Sequence, residues 1–208
     1  MLVELSAFKS GYYRISDDGT GKTPRSSEVV HYLGSTGESS KYSHRETPVV
    51  LALFEIGQTD NPVHRKISEK IPSNGEVVYI PLAGGSEDRS YAVAVKSIKN
   101  ITSKKDLEKL YDWEFELSIP GGGFVERKGE LDFDAPAEGY EATVRFVVSK
   151  DDPTKWSRSI RKSYFIRFGD GTHATWSVSM SAGFNNSISG DVYFNPKVGS
   201  RNLRFAPK

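Results

Sequence analysis

The chain has 208 residues, no cysteine, and a formal net charge of +1 from 28 basic and 27 acidic side chains. That length allows one large all-β domain or two small ones, and the missing thiols exclude disulfides, thiolate catalysis and cysteine-ligated zinc. Balanced charge gives no global attraction to nucleic acid or to an anionic membrane, and no apolar run approaches the ~20 residues that span a bilayer.

The first nine residues, Met1 to Lys9, have neither the basic start nor the long apolar core of a signal peptide. Leu2 to Phe8 and Tyr12 to Ile15 are short β-leaning pieces. Gly19-Thr-Gly-Lys-Thr23 invites a phosphate-loop reading, but the required first glycine is Ser16, and Pro24 follows where a helix would have to open. The stretch reads as a polar turn. Glu28 to Leu33 is a further strand candidate, followed by a Gly/Ser-rich loop through Glu46 in which Tyr42 and His44 are candidate ligand contacts. Val49 to Ile56, apolar on both faces, suggests a covered strand. Asn61 to Lys70 reads as polar and basic, without a strand assignment. Glu76 to Leu82 and Ser90 to Ile98 are strands joined by a turn-rich Ala83 to Arg89.

Ser103 to Tyr111 is the single helix candidate, with Asp106 three residues after Ser103 as a near capping box. It separates two β-rich stretches, so the expected division is a β-rich N-terminal lobe over 1–100 and a β-sandwich lobe over 101–208, with a single domain as the alternative.

The second half alternates more cleanly. Trp113, Phe115, Leu117 and Ile119 point one way, and Glu114, Glu116 and Ser118 the other. After Pro120-Gly-Gly-Gly123, Phe124 to Phe133 is extended, and Glu141 to Val148 is a strand. Ser163 to Phe168 should pair with Thr172 to Met180 through Gly169-Asp170-Gly171, whose glycines supply positive φ angles. Ala174, Trp176, Val178 and Met180 then face a core, and His173, Thr175, Ser177 and Ser179 form a wet face. Ile188 to Phe194 completes a meander. Short strands at regular spacing predict an all-β fold whose second lobe is an antiparallel, Ig-like sandwich.

Four carboxylates have spacing that could carry chemistry. Glu114 and Glu116 share one strand face, Asp132 and Asp134 repeat the interval, and residues two apart on a strand sit ~6.5–7 Å apart on one side. Such pairs suit glycoside hydrolysis or calcium, although a solvated sheet face has the same pattern. His31, His44, His64 and His173 show no metal-ligand spacing, and no cofactor motif is present. Trp156 and Tyr140 lie in or beside loops, where an aromatic face could grip a sugar or a protein; folding back over a sheet edge is the competing reading for Trp156.

Four sets of residues together resemble a C-terminal β-module of uncharacterised bacterial proteins predicted to be exported. They are Asp132-Phe-Asp-Ala-Pro136 with Gly139-Tyr140, Asp151-Asp-Pro153 with Trp156, Tyr164-Phe-Ile-Arg167 with Asp170-Gly171, and Asn195-Pro196 with Gly199-Ser-Arg-Asn-Leu203. The resemblance covers residues 131–208. It implies a β-sandwich and an extracytoplasmic location, and it implies no activity. The expectation is a non-enzymatic binding or structural module that contacts a glycan or protein surface, without cofactor, metal, nucleic acid or membrane insertion. The alternative is a carbohydrate-active enzyme or calcium-assisted lectin using Glu114, Glu116, Asp132 and Asp134. An intracellular assembly component is a third class.

Overall fold

The computed structural model describes residues 2–4, 12–14, 31–33, 53–55, 58–84, 89–101, 103–129 and 132–205. The chain forms two compact units, one of residues 1–59 with 205–208, the other of residues 60–204. In the first unit the strands among the described residues are β1 (Leu2–Glu4), β2 (Tyr12–Arg14), β3 (His31–Leu33) and β4 (Leu53–Glu55). β1 pairs antiparallel with β3, and β2 with β4. All four fall within stretches that the sequence marks as β-leaning.

The second unit contains β5 (Val63–Ile71), β6 (Asn74–Pro81), β7 (Ala92–Lys99), β8 (Trp113–Ser118), β9 (Gly123–Glu126), β10 (Thr143–Val148), β11 (Ser159–Arg167), β12 (His173–Ala182) and β13 (Asn186–Asn195). One antiparallel sheet has the order β10-β8-β7-β6, the other β5-β13-β12-β11-β9. Each presents its alternate apolar residues to one shared core. Trp113, Phe115 and Leu117 come from the four-stranded sheet, and Ile166, Trp176, Met180 and Ile188 from the five-stranded one. Each such side chain contributes about 1.5–3 kcal/mol when fully buried. The result is an all-β, sandwich-like unit, as the alternation predicts.

The unit boundary falls between Thr59 and Asp60 rather than near Asn100. Strand pairing explains the difference. β7 pairs with β8 from Ala94↔Ser118 to Lys99↔Trp113, and β5 pairs with β13 from Val63↔Phe194 to Ile71↔Asn186, so residues on both sides of Asn100 share the same sheets. β5 is a strand that the sequence reading passes over, because its apolar residues recur only at Val63, Ile67 and Ile71 among charges. The Ser103–Tyr111 helix is a short 3₁₀ segment, Lys104–Glu108. Its entry is fixed by the Asp106 carboxylate, which accepts the Ser103 backbone N–H at 2.9 Å and the Ser103 hydroxyl at 3.0 Å. So few residues cannot offset the cost of nucleating an α-helix.

β11 and β12 pair in the expected register, Arg167↔His173 through Ser159↔Ser181. Only Gly171 of the connecting Gly169-Asp170-Gly171 has positive φ, at 83°. This is a three-residue hairpin loop with one left-handed position. The Asp170 carboxylate supplies the remaining order: Oδ1 accepts the Thr172 N–H at 2.9 Å and the Thr172 hydroxyl at 2.7 Å, while Oδ2 accepts the Tyr91 hydroxyl at 2.8 Å. In β13, Gly190 lies so close to β12 that a Cβ there would sit 1.9 Å from the Ser177 carbonyl oxygen.

Candidate functional site

The outer face of the five-stranded sheet brings together His173, Tyr140, Arg167 and Arg201. His173 and Thr175 lie on the expected wet side of β12, yet both are 5 % exposed. Residues 132–140 and 195–204 cross this face. Ala135, Phe165 and Leu203 form a second small core there, with Val125 and Tyr140 packed against it. The crossing segments hold each other by backbone bonds, Ala135 N–H to Arg201 O at 2.8 Å and Leu203 N–H to Phe133 O at 2.8 Å. The wet face is thus half covered by the chain itself, and Ser177 and Ser179 remain accessible.

Under this cover His173, Tyr140 and Asn195 each have a local partner. His173 Nδ1 donates to the Ser200 carbonyl at 2.9 Å. Burial pushes its pKa below the usual histidine value, and the neighbouring Arg167 and Arg201 act in the same direction. The Tyr140 hydroxyl donates to Pro136 O at 2.9 Å, its ring carries the Arg167 guanidinium at 4.7 Å, and burial pushes its pKa up to about 12. Asp60 accepts the Ser200 hydroxyl at 2.5 Å and the Asn195 side-chain amide at 3.1 Å, which hold its pKa below the carboxylate range. These contacts make a latch for the 195–204 segment.

Beside the latch is an open hollow of about 360 Å³ lined by Glu126, Lys128, Asp132, Phe133, Asp134 and Phe165, among others. Asp132 and Asp134 are both at its rim and both engaged. Asp132 Oδ2 accepts the Gly129 N–H at 2.8 Å, and Asp134 pairs with Arg204 at 2.6 Å. Glu114 and Glu116 project from the outer face of the other sheet. Glu114 is gripped by Arg145 through two bonds of 2.6 and 2.7 Å, which lower its pKa. The four carboxylates therefore form two separate pairs, Glu114 and Glu116 on β8, and Asp132 and Asp134 beyond the end of β9 in the segment that crosses the other sheet, not on the extended Phe124 to Phe133 run that the sequence predicts. A bidentate guanidinium pair favours a permanently ionised carboxylate, the opposite of what a general acid needs. Among the described residues no group of three or more His, Asp or Glu side chains is placed to hold a metal ion.

Trp156 folds back onto the sandwich, against the segment that leads into β8. Its Nε1 donates to the Tyr111 carbonyl at 2.8 Å, and its ring meets Tyr111 edge-on at 5.3 Å. Trp156 and Tyr140 are therefore structural anchors in their own loops. Tyr42, His44 and the Gly19-to-Thr23 turn lie outside the described residues.

Comparison of the chain with protein-family models, with curated proteins and with solved structures gives no significant match. The residues alone must carry the reading. Among the described residues no helix is long and apolar enough to cross a membrane.

Two features fall outside the residues that the sequence singles out. The outer face of the four-stranded sheet carries Val147, Ile98, Val77 and Tyr79, each between 41 % and 65 % exposed. Strand register interleaves them with charge: Val147↔Glu114↔Ile98 forms one row, and Arg145↔Glu116↔Lys96↔Val77 the next. The Arg89 guanidinium lies 4.4 Å over the Tyr79 ring. At one end of the sandwich, the buried Lys99 donates from Nζ to the Gly183 and Phe184 carbonyls at 2.5 and 2.9 Å, and Tyr111 donates its hydroxyl to Ala182 O. Desolvation lowers the Lys99 pKa. Alternation through Val93, Val95 and Ser97 predicts an inward Lys99 if β7 is extended by one residue; the apolar pattern stops too soon to require it.

Proposed function

We propose that this chain is a non-enzymatic binding or structural module of Ig-like sandwich type, acting outside the cytoplasm through contact with a protein or glycan surface. The observation that carries this reading is the set of exposed apolar side chains on the outer face of the four-stranded sheet. Exposed Val147, Ile98, Val77 and Tyr79 among the Arg145, Glu116 and Lys96 charges provide apolar contact area and polar specificity on one flat surface. Aromatic and arginine side chains among aliphatic ones are the composition of a protein interface, so within this class the geometry favours a protein partner over a sugar. The resemblance of residues 131–208 to an exported β-module supports the extracytoplasmic location.

Catalysis draws less support. A carbohydrate-active enzyme needs two carboxyl groups across one bond, and here Glu114 is on β8 and Asp132 in the segment after β9 that crosses the other sheet, each with a partner of its own. The test is a pull-down of cell-surface protein with a glycan array beside it, each with calcium and with chelator, comparing wild type, the face variant Val77→Lys/Ile98→Lys and the acid variant Glu114→Gln/Asp132→Asn. The expected outcome is calcium-independent binding that the face variant loses and the acid variant keeps. Hydrolysis by wild type that disappears in the acid variant would move the chain to the enzyme reading.

A further inference from the structure

β5 is the terminal strand of the five-stranded sheet, paired with β13 on one side and with no strand on the other among the described residues. On the β9/β10 side the two sheets are tied by the Phe124↔Glu141 bridge. On the β5/β6 side, among the described residues, the short Pro72-Ser73 link and the long Arg65-to-Gly84 bond join them. A free strand edge is a template for another strand, so the side chains along it decide what it accepts.

The core-side row of β5, taken at every second residue, reads Val63, Arg65, Ile67, Glu69, Ile71. Ile67 and Ile71 are buried in the shared core, whereas Val63 is 58 % exposed. Glu69 has no ion-pair partner among the described residues, and Arg65 makes one long bond of 3.4 Å to the Gly84 carbonyl and no ion pair. Turned antiparallel about Ile67, this row is its own complement. Arg65 falls opposite Glu69, Glu69 opposite Arg65, Ile67 opposite itself, and Val63 opposite Ile71. On the outer row Lys66 falls opposite Ser68 and His64 opposite Lys70, so no lysine faces a lysine.

We infer that β5 is a homodimerisation edge: a second copy of this chain adds its β5 antiparallel about a two-fold axis at Ile67, joining two five-stranded sheets into one of ten strands. An isologous contact of this kind uses the same patch twice, so each Arg65–Glu69 ion pair occurs twice. Opposite charges directly across a strand pair stabilise it, and like charges destabilise it. This inference rests on the β5 edge alone and does not depend on the binding face of the other sheet. A nine-residue strand pair is smaller than the ~800 Å² per partner of a standard interface, which points to a weak dimer in the micromolar range.

Sedimentation velocity on the full chain, from about 1 to 500 µM to bracket a weak interface of this size, tests the inference by charge exchange. Wild type should pass from monomer to dimer over this range. Arg65→Glu sets carboxylate against carboxylate at both symmetric positions, and Glu69→Arg sets guanidinium against guanidinium. Each alone should weaken the dimer at least tenfold. The double variant Arg65→Glu/Glu69→Arg should restore it, and an equimolar mixture of the two single variants should form the heterodimer. Both sites are on the surface, and circular dichroism should confirm unchanged folding in each variant. A wild type that stays monomeric at the highest concentration, or single variants that dimerise like wild type, would overturn the inference. So would a double variant that fails to recover.

Discussion

Replacing Gly190 by alanine tests the close approach of the two central strands of the larger sheet. Gly190 pairs with Val178 on one side and Ile67 on the other, and an added Cβ would meet the Ser177 carbonyl oxygen at 1.9 Å and its carbon at 2.9 Å. Both are backbone atoms in the middle of a ladder, so no side chain can swing away to make room. Relief requires the strands to part by about 1 Å, enough to break two flanking ladder bonds worth about 1 kcal/mol each. Overpacking strain adds about 1–3 kcal/mol, for a total near 3–5 kcal/mol. At roughly 3 °C per kcal/mol for a unit of this size, the thermal midpoint should fall by about 9–15 °C, measured by calorimetry or circular dichroism. Gly199→Ala is the control. Gly199 has φ of 76° but no atom within 4 Å of a built Cβ, so it should cost only the ~1 kcal/mol of a left-handed alanine. A Gly190→Ala midpoint within about 2 °C of wild type would refute the close-approach argument.

Trp156→Ala should destabilise the sandwich unit by about 2–3 kcal/mol, less than a fully buried tryptophan costs, because the ring is only half-buried where it packs against Tyr111; urea unfolding measures it, and binding to a partner should not change. At the Lys99 end, urea midpoints should order wild type above Lys99→Met above Lys99→Ala. Methionine keeps the packed stem but strands the Gly183 and Phe184 carbonyls at about 1–2 kcal/mol, and a methionine variant as stable as wild type would mean that those bonds add nothing. His173 has a folded pKa below its unfolded value, so its stabilising contribution is present above about pH 6.5 and is lost as pH falls towards the folded pKa. His173→Gln should flatten the stability profile in that window. The lowered carboxyl pKa values of Asp60, Asp112, Glu114 and Asp170 place a second, steeper loss below about pH 4, which that variant keeps.

Alternation is the part of the fold written most plainly in the chain. Trp113, Phe115 and Leu117 on β8, and Ala174, Trp176, Val178 and Met180 on β12, are buried as their period-two spacing requires. A strand with one apolar face has only one way to place it. Edge strands are harder to read. β5 uses charge where a central strand uses Val or Ile, so it passes for a polar loop until β13 is seen beside it. The candidate site was legible only as a set of residue types. The spacing of Glu114 with Glu116 puts that pair on one side of β8, whereas Asp132 and Asp134, read as part of an extended run from Phe124, lie beyond the end of β9 at Glu126, and their spacing holds no information on where that segment goes.

Sequence alone therefore determined the all-β class, the meander of β11, β12 and β13, and the inward faces of the core strands, because each follows from local periodicity and turn chemistry. Tertiary structure decided what lies over those strands. It buried His173 and Thr175 beneath residues 132–140 and 195–204, spent Glu114 on Arg145 and Asp134 on Arg204, left the outer-face side chains Val147, Ile98, Val77 and Tyr79 exposed, and gave the β5 edge no strand partner among the described residues. These outcomes depend on contacts between residues 30 to 140 positions apart, and no local pattern encodes which distant segment will pair with which.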